Sequence, residues 1–164
     1  MTASPADTSS SLASVLAAGL AIFAAPPLCA QEAPLAYAVA GDAIERPLAG
    51  QAGDAARGAA LMGDRHKSLC VLCHSGPFGP VQLQGTLAPD LTGIGDRLSP
   101  GQIRLRIVDM KALHPESLMP AYYRIADAPR VAAAWREKPL LTAGEIEDMV
   151  KFLATLTDGY QVQQ

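Results

Sequence analysis

The pentapeptide Cys70-Val71-Leu72-Cys73-His74 constrains this chain more than any other feature. Two thiols three positions apart, followed at once by an imidazole, form the pattern that covalent haem attachment requires. On one helical turn, positions i, i+3 and i+4 share a face. Both sulfurs then reach the two vinyl edges of a porphyrin while His74 rises under the iron. A structural zinc site also uses paired cysteines, but it needs four ligands in a closed tetrahedron, and no second Cys pair or closely spaced His pair follows. A thioredoxin-like redox pair belongs in a βαβ context and leaves His74 unexplained. The sequence therefore points to one covalently bound haem c, with zinc and thiol redox chemistry as the alternatives.

The N-terminus bears on that choice. Ser11 to Ala25 is an almost unbroken run of apolar and small residues, followed by Pro26-Pro27-Leu28-Cys29-Ala30. This reads as a secretory signal, residues 1–30, cleaved after Ala30, although Met1 to Ser10 lacks the usual Lys or Arg. The run is short and Ala-rich for a membrane span, so the expectation is export to the periplasm with no membrane attachment after cleavage. Leu28 stands where a small residue would precede a lipidated Cys, so Cys29 is expected to be discarded. Cleavage leaves only Cys70 and Cys73, which rules out a disulfide framework and commits every remaining thiol to one motif.

The rest of the chain is one domain's worth of sequence. Asp7 is the only charge lost with the signal, so the net charge moves from -3 to -2, and no basic run argues for nucleic acid. Aromatic residues make up only 5%, sparse for a core of this size, and a buried porphyrin supplies the missing apolar bulk.

Caps and periodicity predict an all-α domain over 53–164 behind an extended lead-in, 31–52, that is rich in Ala, Pro and Gly. Asp54 is a good N-cap for a helix running towards His66. Gly76, Pro77, Gly79 and Pro80 forbid a continuing helix after His74 and make a loop of the stretch through Asp96. Ser99-Pro100-Gly101-Gln102 and Thr142-Ala143-Gly144-Glu145 are capping boxes. The first opens a helix with Ile103, Ile107 and Met110 on one face, the second a helix with Ile146, Met149, Val150, Leu153 and Leu156. No run shows strand alternation, and there is no internal repeat.

Iron held by His74 has an opposite face, for which Met62, Met110, Met119, Met149, His66 and His114 are candidates. Met62, Met110 and Met149 fall at helical core positions and read as packing residues. Met119 differs because Pro120 forces it into an extended conformation on a loop between two helices. A thioether there is a soft ligand that favours Fe(II) and raises the potential. His114, five residues earlier and followed by Pro115, is its competitor, and His66 reads as a solvated helix-end residue. His74 also needs an acceptor for its other ring N–H; the carbonyl of Pro89 is one candidate, and an ordinary turn proline is the other reading.

These segments resemble the SoxX family. The likeness is carried by Gly53-Asp54-Ala55-Ala56-Arg57-Gly58, by the motif with its continuation Ser75-Gly76-Pro77, and by Leu87-Ala88-Pro89-Asp90-Leu91. It extends through Gln102-Ile103-Arg104-Leu105-Arg106-Ile107-Val108-Asp109, Met119-Pro120-Ala121-Tyr122-Tyr123 and Leu141-Thr142-Ala143-Gly144-Glu145-Ile146-Glu147-Asp148. SoxX is the small monohaem subunit of the periplasmic SoxAX cytochrome of bacterial sulfur oxidation. The resemblance implies a class I cytochrome c fold with haem on Cys70 and Cys73, His74 proximal and Met119 distal. It implies the Pro89 carbonyl as the acceptor for His74, and Gly58 on the first helix packed against Phe152 on the last. It also implies SoxA as the heterodimer partner bearing the sulfur-transfer cysteine, SoxYZ as the carrier to which thiosulfate is joined, and a downstream cytochrome c as acceptor. His114 and Glu137 depart from the family pattern, and the first keeps a bis-His site open.

Two roles follow: the electron-transfer subunit of a thiosulfate-oxidising S-thiosulfotransferase, or a free-standing soluble electron carrier. Only four lysines and near-balanced charge favour the subunit over a carrier with a charged docking ring. Phe78, Pro80, Tyr122 and Tyr123 are expected either to meet that partner or to pack on the porphyrin.

Overall fold

The computed structural model describes residues 1–2, 34–78, 82–125 and 130–159. Most of the segment read as an export signal, Cys29 included, lies outside the described residues, as do Gly79 and Pro80. Among the described residues the fold is all-α, with no strand beyond one isolated bridge between Ala40 and Ala43.

Each main helix starts where its cap residue stops the preceding chain. In α1, Ala55–Gly63, the Asp54 carboxylate accepts the Arg57 N–H at 2.8 Å. The helix ends before His66 because the Asp64 side chain accepts the backbone N–H groups of His66 at 2.7 Å and Lys67 at 3.0 Å, turning the chain aside. Both capping boxes are present, opening α3, Pro100–Asp109, and α4, Ala143–Leu153. Between them and the cysteine motif lies a turn of helix that the loop reading missed, α2, Ile94–Arg97. Gly93 enters it with φ +67, and the Gly95 N–H donates to Leu156 O at 2.9 Å, so a tertiary contact rather than local propensity holds it.

The core forms where α4 packs against α1 and α3. Ile146, Met149, Val150, Leu153 and Leu156 are all buried, which is the stripe the periodicity predicts, and they pack with Ile103, Leu105, Ile107 and Val108. The α1–α4 crossing is close because Gly58 has no side chain. A Cβ there would lie 2.0 Å from the Asp148 carbonyl oxygen and 2.8 Å from Phe152 Cβ, the packing that the family resemblance implies. Asp148 locks the same crossing, accepting from the Arg57 side chain at 2.7 and 2.8 Å and from Asp54 N–H at 2.6 Å.

The lead-in is tied into this core. Ile44 and Leu48 are buried, and between them runs a buried ion pair. Arg104 on α3 meets Glu147 on α4 through two bonds of 2.7 and 2.8 Å. Arg104 also donates to Ile44 O at 2.6 Å, and Glu147 accepts Leu48 N–H at 2.8 Å.

Candidate functional site

Cys70–Leu72 form a single 3-10 turn entered through Leu69, whose φ of 64 is left-handed. The N–H groups of Cys73 and His74 both donate to Cys70 O, at 3.1 and 2.9 Å, so the motif keeps the one-turn geometry that its spacing requires. A second strip of chain runs alongside. Gly85 N–H donates to Val71 O at 2.8 Å, Ala88 N–H to Cys73 O at 2.9 Å and Leu91 N–H to Ser75 O at 2.9 Å. This approach needs a glycine, since a Cβ on Gly85 would sit 2.1 Å from Leu72 O.

The strip brings the Pro89 carbonyl to 2.7 Å from His74 Nδ1, the acceptor role that the resemblance implies. A carbonyl only accepts, so Nδ1 carries the proton and Nε2 keeps its lone pair for a metal. Asp90, next in sequence, accepts from Ser75 Oγ at 2.6 Å and Thr92 N–H at 2.7 Å. Those bonds, the Ser75 hydroxyl's first, hold its carboxyl below the usual range.

Cys70, His74, Pro89 and Met119 all line one cleft of about 270 Å³. Its other walls are largely apolar, with Met62 from α1, Ile103 and Ile107 from α3, Met149 and Leu153 from α4 and Leu91, Ile94 and Leu98 between, and Asp90, Arg97 and Arg106 add charge to the lining. Cys73 is half-buried beside this wall and is not part of it. Burial pushes the Cys70 thiol up, against the opposing pull of its contacts with Ser68 and Tyr122. An imidazole with a free Nε2, a thiol, a thioether and apolar walls make a donor set that fits a covalently bound haem.

Met119 is half-buried on the loop between α3 and α4, its N–H donating to Ser117 Oγ at 3.2 Å. The Lys111 ammonium donates to Ser117 O and braces the same loop. Met62 and Met149 are fully buried packing residues that also face the cleft. Met110 faces it too, but from a 3-10 turn after α3 rather than from a helical core position. His66 and His114 are exposed and do not line it.

The aromatic residues expected near the cleft are neither a free surface nor part of its wall. Phe78 is buried against Phe152, with ring centres 6.5 Å apart. Tyr122 donates its hydroxyl to the carbonyl of Ser68, and Tyr123 accepts from Leu35 N–H at 2.8 Å. Burial pushes the Tyr122 phenol far above its ordinary value. Three cleft residues were not singled out from the sequence, Ile94, Arg97 and Leu98. Arg106, which the sequence offered only within the segment that carries the family resemblance, lies one turn beyond Gln102 and next to Ile107.

Comparison with solved structures finds the crystal structure of SoxXA from P. pantotrophus. The match has 32% identity and a TM-score of 0.69, and covers 78% of this chain and 99% of that one. No model of a protein family matches the chain, and no curated protein does.

Proposed function

The chain belongs to the SoxX family, and we propose that it is the electron-transfer subunit of a periplasmic SoxAX cytochrome, a heterodimeric L-cysteine S-thiosulfotransferase. Export removes residues 1–30, and the domain from residue 53 carries one haem c on Cys70 and Cys73. His74 and Met119 would supply the nitrogen and sulfur ligands to its iron. When bound, the haem supplies an iron that takes up and releases one electron at a time.

The reaction it serves joins thiosulfate to a cysteine of the SoxYZ carrier. One sulfur–sulfur bond forms, the carrier thiolate and thiosulfate together lose two electrons, and a cysteine S-thiosulfonate results. The sulfur-transfer cysteine belongs to SoxA, because this chain's two thiols after cleavage are consumed as thioethers. The electrons pass through this chain to a downstream cytochrome c.

The observation that carries the reading is the placement of His74 and Met119 on one apolar cleft, with His74 Nδ1 held by Pro89 O at 2.7 Å. That hydrogen bond fixes the imidazole tautomer and ring plane. A Met119 thioether would favour the reduced iron, and the largely apolar walls would limit water around it, the properties of a site suited to accepting electrons.

The test is co-expression with SoxA in a haem-maturing periplasm. The chain is expected to co-elute with SoxA, and its haem to be reduced by thiosulfate only when SoxA and SoxYZ are both present. Elution apart from SoxA, with no thiosulfate-dependent reduction, would reject the subunit and leave the free-standing carrier.

A further inference from the structure

Resting on the haem reading above, we propose that Arg97 is the residue that binds a haem propionate. The cleft wall carries three charged side chains, Asp90, Arg97 and Arg106, in an otherwise apolar lining. A ligand whose only charged substituents are two carboxylates is best held with a cation at the rim of such a cleft, where Arg97 is exposed, because a carboxylate brought against apolar walls gives up part of its hydration.

Two of the three charged groups are already committed. Asp90 is taken up by Ser75 and Thr92. Arg106 donates to Gln102 O at 2.9 Å and pairs with Asp42 at 3.4 Å. Arg97 makes no ion pair among the described residues. Its bonds go to two backbone carbonyls, Thr92 O at 2.7 Å and Asp90 O at 3.4 Å. These orient the planar guanidinium and leave most of its five N–H donors for an anion, in a fork that matches a carboxylate. The group is pre-aimed and forms no ion pair among the described residues, although Asp158 Oδ1 and Arg97 Nη1 both lie beside Gly93.

The charged groups around this rim are few. Asp90 feels the Arg97 charge without pairing to it. Asp96, on the same short helix, accepts Asp158 N–H at 2.7 Å. Asp158 follows α4 and lies beside Gly93, and Arg106 approaches from α3. Among the described residues no other cation lines the cleft.

The test uses the haem-loaded chain and follows its midpoint potential against pH, for the unmodified protein, Arg97→Gln, Arg97→Lys and Arg106→Gln. An arginine against the carboxylate holds that propionate's pKa down in both oxidation states, so it adds no slope to the unmodified potential near neutral pH. Arg97→Gln removes that hold, and the propionate pKa rises by about 1–3 units, the usual effect of one close opposite charge. The potential then falls with rising pH between the two oxidation states' pKa values. The reduced form also loses about tenfold in relative stability, equal to about 59 mV for a one-electron couple. Arg97→Lys retains most of the unmodified behaviour, and Arg106→Gln leaves the pH profile unchanged.

An unchanged pH profile and potential in Arg97→Gln overturns the proposal, as does the same shift appearing in Arg106→Gln instead. A second readout needs no variant: haem methyl resonances of the unmodified protein are expected to show that at least one of the two propionates does not titrate between about pH 5 and 8, and titration of both there overturns the assignment. Absence of covalent haem from the unmodified chain is a different result, which defeats the haem reading itself.

Discussion

Glu147→Gln isolates the contact that ties the lead-in to the helices carrying the cleft. Glu147 and Arg104 are 2% and 5% exposed, so neither charge has water to fall back on. The amide still offers one oxygen to Leu48 N–H, but it turns an NH2 towards the Arg104 Nη2, which itself only donates. The guanidinium is left buried without a counter-charge, a loss of about 3–5 kcal/mol. For a domain of ordinary stability, about 5–15 kcal/mol, that is a large part of the whole. Urea unfolding of the haem-loaded protein, followed by far-ultraviolet circular dichroism, measures it, and hydrogen exchange at Leu48 N–H is expected to accelerate. Because the two side chains share one contact, Arg104→Met combined with Glu147→Gln should cost about 2 kcal/mol less than the two single losses added. A loss below about 1 kcal/mol for Glu147→Gln, or simple additivity, would refute the reasoning.

Acid should loosen the α1–α4 crossing through Asp148. Its burial alone would raise the carboxyl, but the Arg57 hydrogen bonds and the Asp54 N–H outweigh it and hold the group low. That contribution is complete above the ordinary Asp value of about 3.9 and is lost as pH falls through the lower folded value; Arg57 is largely exposed, so it amounts to about 0.5–1 kcal/mol, and Asp148→Asn should flatten this acid limb of the stability profile. Ser117→Ala removes the acceptor of Met119 N–H, worth about 1 kcal/mol, so added imidazole should bind the ferric protein about fivefold more tightly in a spectral titration. Gly85→Ala places a methyl against Leu72 O, and the strip carrying Pro89 must move off the cysteine turn; a stability loss of about 1–3 kcal/mol and a changed reduction potential are expected in unfolding and redox titrations.

What could be read from the sequence was local. Asp54, Ser99 and Thr142 announce their helices because a cap acts within four residues of itself, and the α4 stripe is a period that any window over it detects. The cysteine motif sets its own turn for the same reason. What escaped depends on partners far away in the chain. Arg104 and Glu147 stand 43 positions apart and look like charges interrupting apolar runs until the fold joins them. The turn of α2 exists because Gly95 meets the end of α4, and Tyr122 is buried because its hydroxyl finds the carbonyl of Ser68, 54 residues away. Arg97 gave no local sign, since its two carbonyl acceptors lie on a loop whose course is set by the cysteine turn.

The central claim is that His74 and Met119 hold one haem iron between them. The near-infrared band that arises from sulfur-to-ferric-iron charge transfer tests it most directly, measured on the unmodified haem-loaded chain, Met119→Ala and His114→Ala. The account predicts the band in the unmodified protein and in His114→Ala, and its loss in Met119→Ala. A band that survives in Met119→Ala, or that disappears with His114, would contradict it.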